Sequence, residues 1–115
     1  TYAYILDELE ACAVAPEFEA LKARAKAMDD KYKAAVEYVK AANNNEFLDL
    51  CSRHLYELAA NCIMAQLLIR DASANAELFG KSAKVYMNLA EAEVAKHAGF
   101  VMNLTAEQIA DYKQG

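Results

Sequence analysis

Apolar residues along this chain fall into ladders of alternating three- and four-residue steps, and the longest runs through Phe18, Leu21, Ala25, Met28, Tyr32, Ala35, Val39 and Ala42. A stripe that narrow has a mean period of 3.5 residues and suits a helix buried along a second helix of similar length. In the next segment Leu48, Leu55, Cys62 and Ile69 stand seven apart, with Cys51, Leu58, Ala65 and Ala72 as the second rail of the same seam. Phe47, Tyr56, Ile63, Met64, Leu67 and Leu68 widen that apolar surface nearly all round, which predicts the central and most buried helix. A third stripe, Gly80, Ala83, Met87, Ala90, Val94, His97 and Val101, repeats the alternation with small residues that permit close approach. No stretch shows the period-two alternation of a strand.

Breakers and caps set the boundaries. Tyr2, Ile5, Leu9 and Cys12 place a first helix over about residues 1 to 14, ended by Pro16, which restricts Ala15 to extended geometry. Pro16 then opens the second helix, with Glu17 and Glu19 at the positive end of its dipole, and the helix runs to about Ala42. Lys22, Lys26, Asp29, Asp30, Lys33 and Glu37 read as its solvated outer face, with i,i+4 pairs such as Asp29 with Lys33. Asn43, Asn44 and Asn45 form the clearest turn, because asparagine tolerates left-handed backbone and caps helix starts. The third helix covers about Glu46 to Ala72. Ser73 and Asn75 interrupt the pattern and cap a fourth helix from about Ala76 to Met102. Gly99 could end that helix early as a left-handed cap, but Val101 stays on the stripe and favours continuation. Thr105 with Gln108 is a capping-box signature for a short last helix over about Ala106 to Lys113. Short connections between long helices imply antiparallel neighbours, so the expected fold is all-α: an up-and-down antiparallel four-helix bundle with a short C-terminal fifth helix, in one domain over residues 1–115.

Composition narrows the partners. Hydrophobic residues make up 57% of the chain, with only three Gly and one Pro to interrupt helix. Twelve basic against 17 acidic residues give a net charge of -5, and no basic cluster exists to displace counterions from a phosphate backbone, which argues against nucleic acid. The longest uncharged run, Leu58 to Ile69, is far short of the ~20 apolar residues a bilayer crossing needs. The three cysteines, Cys12, Cys51 and Cys62, lack C-x-x-C spacing and suit reduced thiols in a cytoplasm. Neither an initiating Met nor a secretory pattern precedes the first helical ladder, so Thr1 is expected not to be a natural start and the chain to be a domain from the C-terminal side of a longer protein.

Candidate chemistry is sparse. Glu93 with His97 at i,i+4, and His54 with Glu57 at i,i+3, could place carboxylates and imidazoles between helices, but di-iron bundles use Glu-x-x-His twice plus two more glutamates, and neither pair has that order. Ordinary polar or core histidines are the expectation. Cys51 and Cys62 lie on a buried seam, where a thiol behaves as a small hydrophobe. Gly80-Lys81-Ser82 matches only the tail of a phosphate loop, without its first glycine or its strand. Tyr2, Tyr4, Tyr32, Tyr38, Tyr56 and Tyr86 are expected mainly at core edges with wet hydroxyls; the alternative is that the flank tyrosines and Phe79 form a partner interface.

The segments Cys51-Ser-Arg-His-Leu-Tyr-Glu-Leu-Ala-Ala-Asn-Cys62 and Ala76-Glu-Leu-Phe-Gly-Lys-Ser-Ala-Lys-Val-Tyr86, continuing to His97, resemble the extra helical domain at the far C-terminus of certain bacterial acyl-CoA dehydrogenases. The resemblance covers most of the chain and consists of helix-face composition and order. It implies a bundle appended to a flavoenzyme of fatty acid metabolism that oxidises the α,β bond of an acyl-CoA with FAD, passes electrons to an electron-transfer flavoprotein and assembles as a homo-oligomer. In that family the catalytic glutamate, flavin contacts and thioester pocket belong to upstream domains, and no segment here matches their motifs. No residue of this chain is therefore given a catalytic, cofactor-binding or metal-binding role. The expected function is an accessory one: packing, subunit contact or pocket shaping; the alternative is a stand-alone helical protein-interaction module.

Overall fold

The computed structural model describes residues 2–114, with side chains described for residues 4–111. In chain order come α1 (Tyr2–Glu10), a 3-10 turn (Pro16–Phe18), α2 (Glu19–Ala42), α3 (Asn45–Ala74), α4 (Ala76–Asn103) and α5 (Ala106–Gln114). Three long helices run antiparallel in a body 55 × 23 × 17 Å in extent, and the much shorter α1 lies against α2 and α3. The bundle is thus all-α, as the ladders predict. α3 packs against every other helix, α5 included, which bears out its central place.

Local chemistry explains the joints. Asn43 adopts φ 47°, the left-handed conformation that ends α2, and its N–H donates to the Lys40 carbonyl. Asn44 then caps α3, its side-chain oxygen accepting from the N–H groups of Glu46 (2.9 Å) and Phe47 (3.2 Å). Asn75 is the whole connection between α3 and α4: its N–H donates to Asp71 O at the end of one helix, while its side chain accepts from Leu78 N at the start of the next. The Thr105 and Gln108 box forms reciprocally, at 3.1 Å and 3.0 Å. α4 passes through Gly99 unbroken to Asn103.

Several expectations change. α1 ends at Glu10, not near residue 14, and Pro16 starts a 3-10 turn that becomes α-helical only at Glu19. Thr1 lies outside the described residues. In the first turn of α3 the inward position belongs to Phe47, fully buried and tilted against Tyr38 at 5.8 Å, while Leu48 points outward. A strict seven-residue repeat drifts about 20° per heptad from a straight helix, so the seam set by Leu55, Cys62 and Ile69 does not extend back to position 48. Tyr56 and Met64 are likewise exposed, so α3 is not apolar-covered all round.

The core joins Leu6 and Phe18 to the α2 ladder from Leu21 to Val39, to Cys51, Leu58, Cys62, Ile69 and Ala72 of α3, and to Ala83, Met87, Ala90, Val94 and Val101 of α4, while Ala42, the last rung of the α2 ladder, is exposed. Gly80 belongs to this packing, since a Cβ there would touch the Phe18 ring at 3.5 Å. Across the outer edge Arg24 on α2 grips α4 through a two-pronged ion pair with Glu91 and a 2.9 Å bond to Asn88. Ser73 accepts from Ala15 N at 3.2 Å, which ties the α1–α2 connection to the end of α3.

Leu58 has no solvent exposure and sits at the centre of α3. Leu58→Ala is expected to cost about 2 to 5 kcal/mol through the cavity it leaves. Chemical denaturation measures this, and a loss under about 1 kcal/mol would be incompatible with a close-packed centre at α3.

Candidate functional site

Two polar clusters interrupt the apolar interior. The first lies where α1, α2 and α3 meet. Asp29 on α2 follows Met28 of the buried ladder and turns inward, so its side chain is fully buried. Its Oδ2 accepts from Gln66 Nε2 of α3 at 2.9 Å. Gln66 Oε1 in turn accepts from Lys22 Nζ at 2.6 Å, and the same ammonium donates to the Leu9 carbonyl of α1 at 2.6 Å. Asp29 Oδ1 has no hydrogen-bond partner among the described residues, and the thiol of Cys62, a weak donor, interacts with the Asp29 carboxyl. Desolvation dominates over the Gln66 bond, and the Asp29 carboxyl is pushed up to about 6. Burial, with the Asp29 charge adding to it, raises the Cys62 thiol far above its ordinary value, and burial also raises Cys51; both are therefore protonated, unreactive thiols near neutral pH.

This cluster overturns the expectation of a solvated face at Asp29, which is fully buried. Lys33, expected to pair with Asp29, instead reaches α1, where it meets Asp7 at 2.7 Å and Glu10 at 3.2 Å. Those bonds, led by the one to Asp7, hold the Lys33 ammonium above its ordinary value. Lys22 is also half-buried, and its burial lowers it.

The second cluster lies between α3 and α4. His54 Nδ1 and His97 Nδ1 are 2.8 Å apart, so one ring must donate a proton and the other accept it. His54 also stacks on Phe100 with centroids 4.0 Å apart, and His97 Nε2 is 3.4 Å from Glu93 Oε2. Burial first, then the charges of His97, Lys96 and Arg53, hold His54 below its ordinary value. The structure thus joins the two histidines, which the sequence placed in separate pairs. Glu57 contributes only its backbone carbonyl, to Asn61 Nδ2 at 2.8 Å, in its described hydrogen bonds. Among the described residues no group of three or more His, Cys, Asp or Glu is arranged to hold a metal ion.

The remaining candidates are structural. Gly80-Lys81-Ser82 lies inside α4, where backbone N–H groups are committed to the helix and cannot cradle a phosphate. Tyr38 donates to the Leu104 carbonyl at 2.5 Å and Tyr86 to Asn61 Oδ1 at 3.3 Å, while Tyr4 and Tyr56 are exposed and Tyr32 is buried. The Tyr2 side chain lies outside the described residues. Phe79 is half-buried against the core.

The family model for the acyl-CoA dehydrogenase C terminal matches residues 1–109. The chain belongs to this family. Its fold is also similar to an acyl-CoA dehydrogenase family protein from Porphyromonas gingivalis, with a TM-score of 0.82 and 29% identity over 90% of this chain and 89% of that one. No curated protein matches it.

For an acyl-CoA dehydrogenase C-terminal domain, the polar interior gives the sharpest pH prediction. With its carboxyl near 6 when folded and 3.8 as its ordinary value, Asp29 holds its proton more tightly in the native state. Its stabilising contribution is therefore complete below about pH 4 and is lost as pH rises through about 6, by roughly 2 to 3 kcal/mol. Asp29→Asn, whose amide oxygen can still accept from Gln66, is expected to flatten stability between pH 4 and 6 and to match or exceed the wild type at pH 8. Urea unfolding across pH checks this, and an unchanged slope would refute it. Separately, a His54→Ala, His97→Ala double variant is expected to leave metal content unchanged. A stoichiometric transition metal lost on that change, measured by elemental analysis, would contradict it.

Proposed function

We propose that this domain is the accessory, non-catalytic C-terminal part of a FAD-dependent acyl-CoA dehydrogenase. In this reading the α,β-oxidation of an acyl-CoA thioester belongs to flavin-bearing domains of the same polypeptide, and this bundle serves packing, subunit contact or pocket shaping. The carrying observation is how the titratable interior is used. Asp29, Gln66 and Lys22 close on one another and His54 closes on His97, so each cluster links helices to each other. Removing a proton α to a thioester requires a base facing a substrate cleft, with the flavin accepting hydride from the β carbon. The surface groove lined by Lys81, Ser82, Val85, Tyr86 and Leu89 holds no carboxylate, histidine or thiol to supply that base.

FAD does not fit the one phosphate-loop fragment available here, because Gly80-Lys81-Ser82 is continuous helix. In this reading the flavin and the exchange with an electron-transfer flavoprotein belong to the catalytic domains. A reducing, cytoplasmic setting accords with three free cysteines. Among the described residues no helix is long and apolar enough to cross a membrane.

The test compares a full-length enzyme carrying this domain with a version truncated before it. The truncated enzyme is expected to retain FAD and substrate-driven bleaching of the flavin, with losses confined to thermal stability, subunit assembly or KM. A truncated enzyme that keeps FAD but loses bleaching altogether would sink the non-catalytic reading. A natural reading frame beginning within a few residues of Thr1 would sink the appended-domain reading.

A further inference from the structure

α4 carries two ladders on opposite sides. The inner one, from Gly80 to Val101, is buried against α2 and α3. The outer one runs Leu78, Ser82, Val85, Leu89, Ala92 and Lys96, and every member is exposed; Leu78 is 65%, Val85 70% and Leu89 58% open to solvent. Its four-three-four-three-four spacing has the same 3.5-residue mean period as the buried seams. α2 offers the contrast: none of the exposed large apolar side chains among the described residues lies on it, whereas five lie on α4. The outer ladder thus lies on the solvent side of α4, whereas the outer face of the neighbouring α2 is charged. It has the form of a helix-pairing seam on which none of the described helices packs.

We propose that a second copy of this chain docks on this seam, α4 against α4, antiparallel about a two-fold axis. Placing Val85 against Leu89 of the other copy brings the small residues Ser82 and Ala92 together and lays Leu78 on the methylene stem of Lys96, each layer occurring twice. These layers set a-type against d-type positions, as antiparallel seams mesh. Leu89 enters beside the shallow groove formed by Lys81, Ser82, Val85 and Tyr86.

Charge favours this occupant and register. Lys96, 65% exposed and loosely held by Glu93 at 3.3 Å, extends toward Glu77 in the first turn of the opposing α4, giving complementary charges at both ends. Along the flanks Tyr86 faces Tyr86 and Asn88 faces Asn88, while Lys81 lies by Ala95 and Glu93 by Phe79, so no like charges are opposed. The contact spans only about five helical turns, which places it among weak, concentration-dependent interfaces. This pairing does not rest on the accessory-domain reading and can fail without it.

Sedimentation equilibrium of the 115-residue chain from about 10 µM to about 1 mM tests the pairing. The weight-average mass is expected to climb from 12.7 kDa toward twice that value. Val85→Glu and Leu89→Lys, both at exposed positions and checked for unchanged helicity and melting, are expected to remain monomeric. Lys96→Glu should weaken association about fivefold or more, and adding Glu77→Lys should restore it, as expected for a complementary pair. A wild-type mass that never departs from 12.7 kDa overturns the proposal, as does a dimer that survives Val85→Glu or a charge swap without effect. A chain that stays monomeric alone, but whose outer ladder is needed to bind the catalytic part of an acyl-CoA dehydrogenase, also overturns it and assigns the seam to that surface.

Discussion

Burial of α3 on several sides at once is the constraint from which the rest of the fold follows. A single helix that must meet α1, α2, α4 and α5 cannot present bulky side chains in every direction, because interaxial distance is set by the residues at each contact. Its buried positions accordingly alternate larger residues such as Leu58 and Ile69 with Ala59, Ala65, Ala72 and the two small thiols. α2 and α4 answer with Ala25, Ala35, Ala83 and Ala90. Close packing of this kind derives its stability from many short dispersion contacts, and even one removed side chain leaves a void its rigid neighbours fill only in part.

The same closeness explains why the polar clusters lie where they do. Asp29 and Gln66 meet where α1, α2 and α3 converge and a lysine from the edge can reach in; His54 and His97 meet where Phe100 shields one face and Glu93 faces the other ring's far nitrogen. Each cluster adds directional bonds between elements otherwise held by non-directional apolar packing. In this acyl-CoA dehydrogenase C-terminal domain the titratable residues of both clusters join its own helices to one another.

The long ladders made α2, α3 and α4 legible because a buried stripe must repeat at the helical period, and Asn43, Asn44, Asn75 and the Thr105 box marked their ends through backbone chemistry that is local in sequence. The inward turn of Asp29 was not legible. It sits one position from Met28, and pattern alone assigns a charged residue beside a narrow stripe to water; only the tertiary partners Gln66 and Lys22 say otherwise. The meeting of the histidines did carry a signal. In a hairpin turning at Asn75, residues nearly equidistant from the turn face each other, and His54 and His97 are such a pair. Reading each histidine against carboxylates on its own helix concealed that register. The brevity of α1 was hidden as well, since Cys12 continues the apolar spacing after the helix has ended.

Asn75 closes α3 and opens α4 with no residue to spare on either side. Such a joint transmits rotation as rigidly as it transmits direction. One extra residue at this point would turn α4 by about 100° about its own axis relative to α3. Ala83, Met87 and Ala90 would swing away from the interior, and the imidazole pair would separate. Loops in most folds absorb length changes because slack chain uncouples the elements they join. Here the phase of one helix is written directly into the next, so the two behave as a single keyed part whose tolerance for insertion at the turn is close to zero.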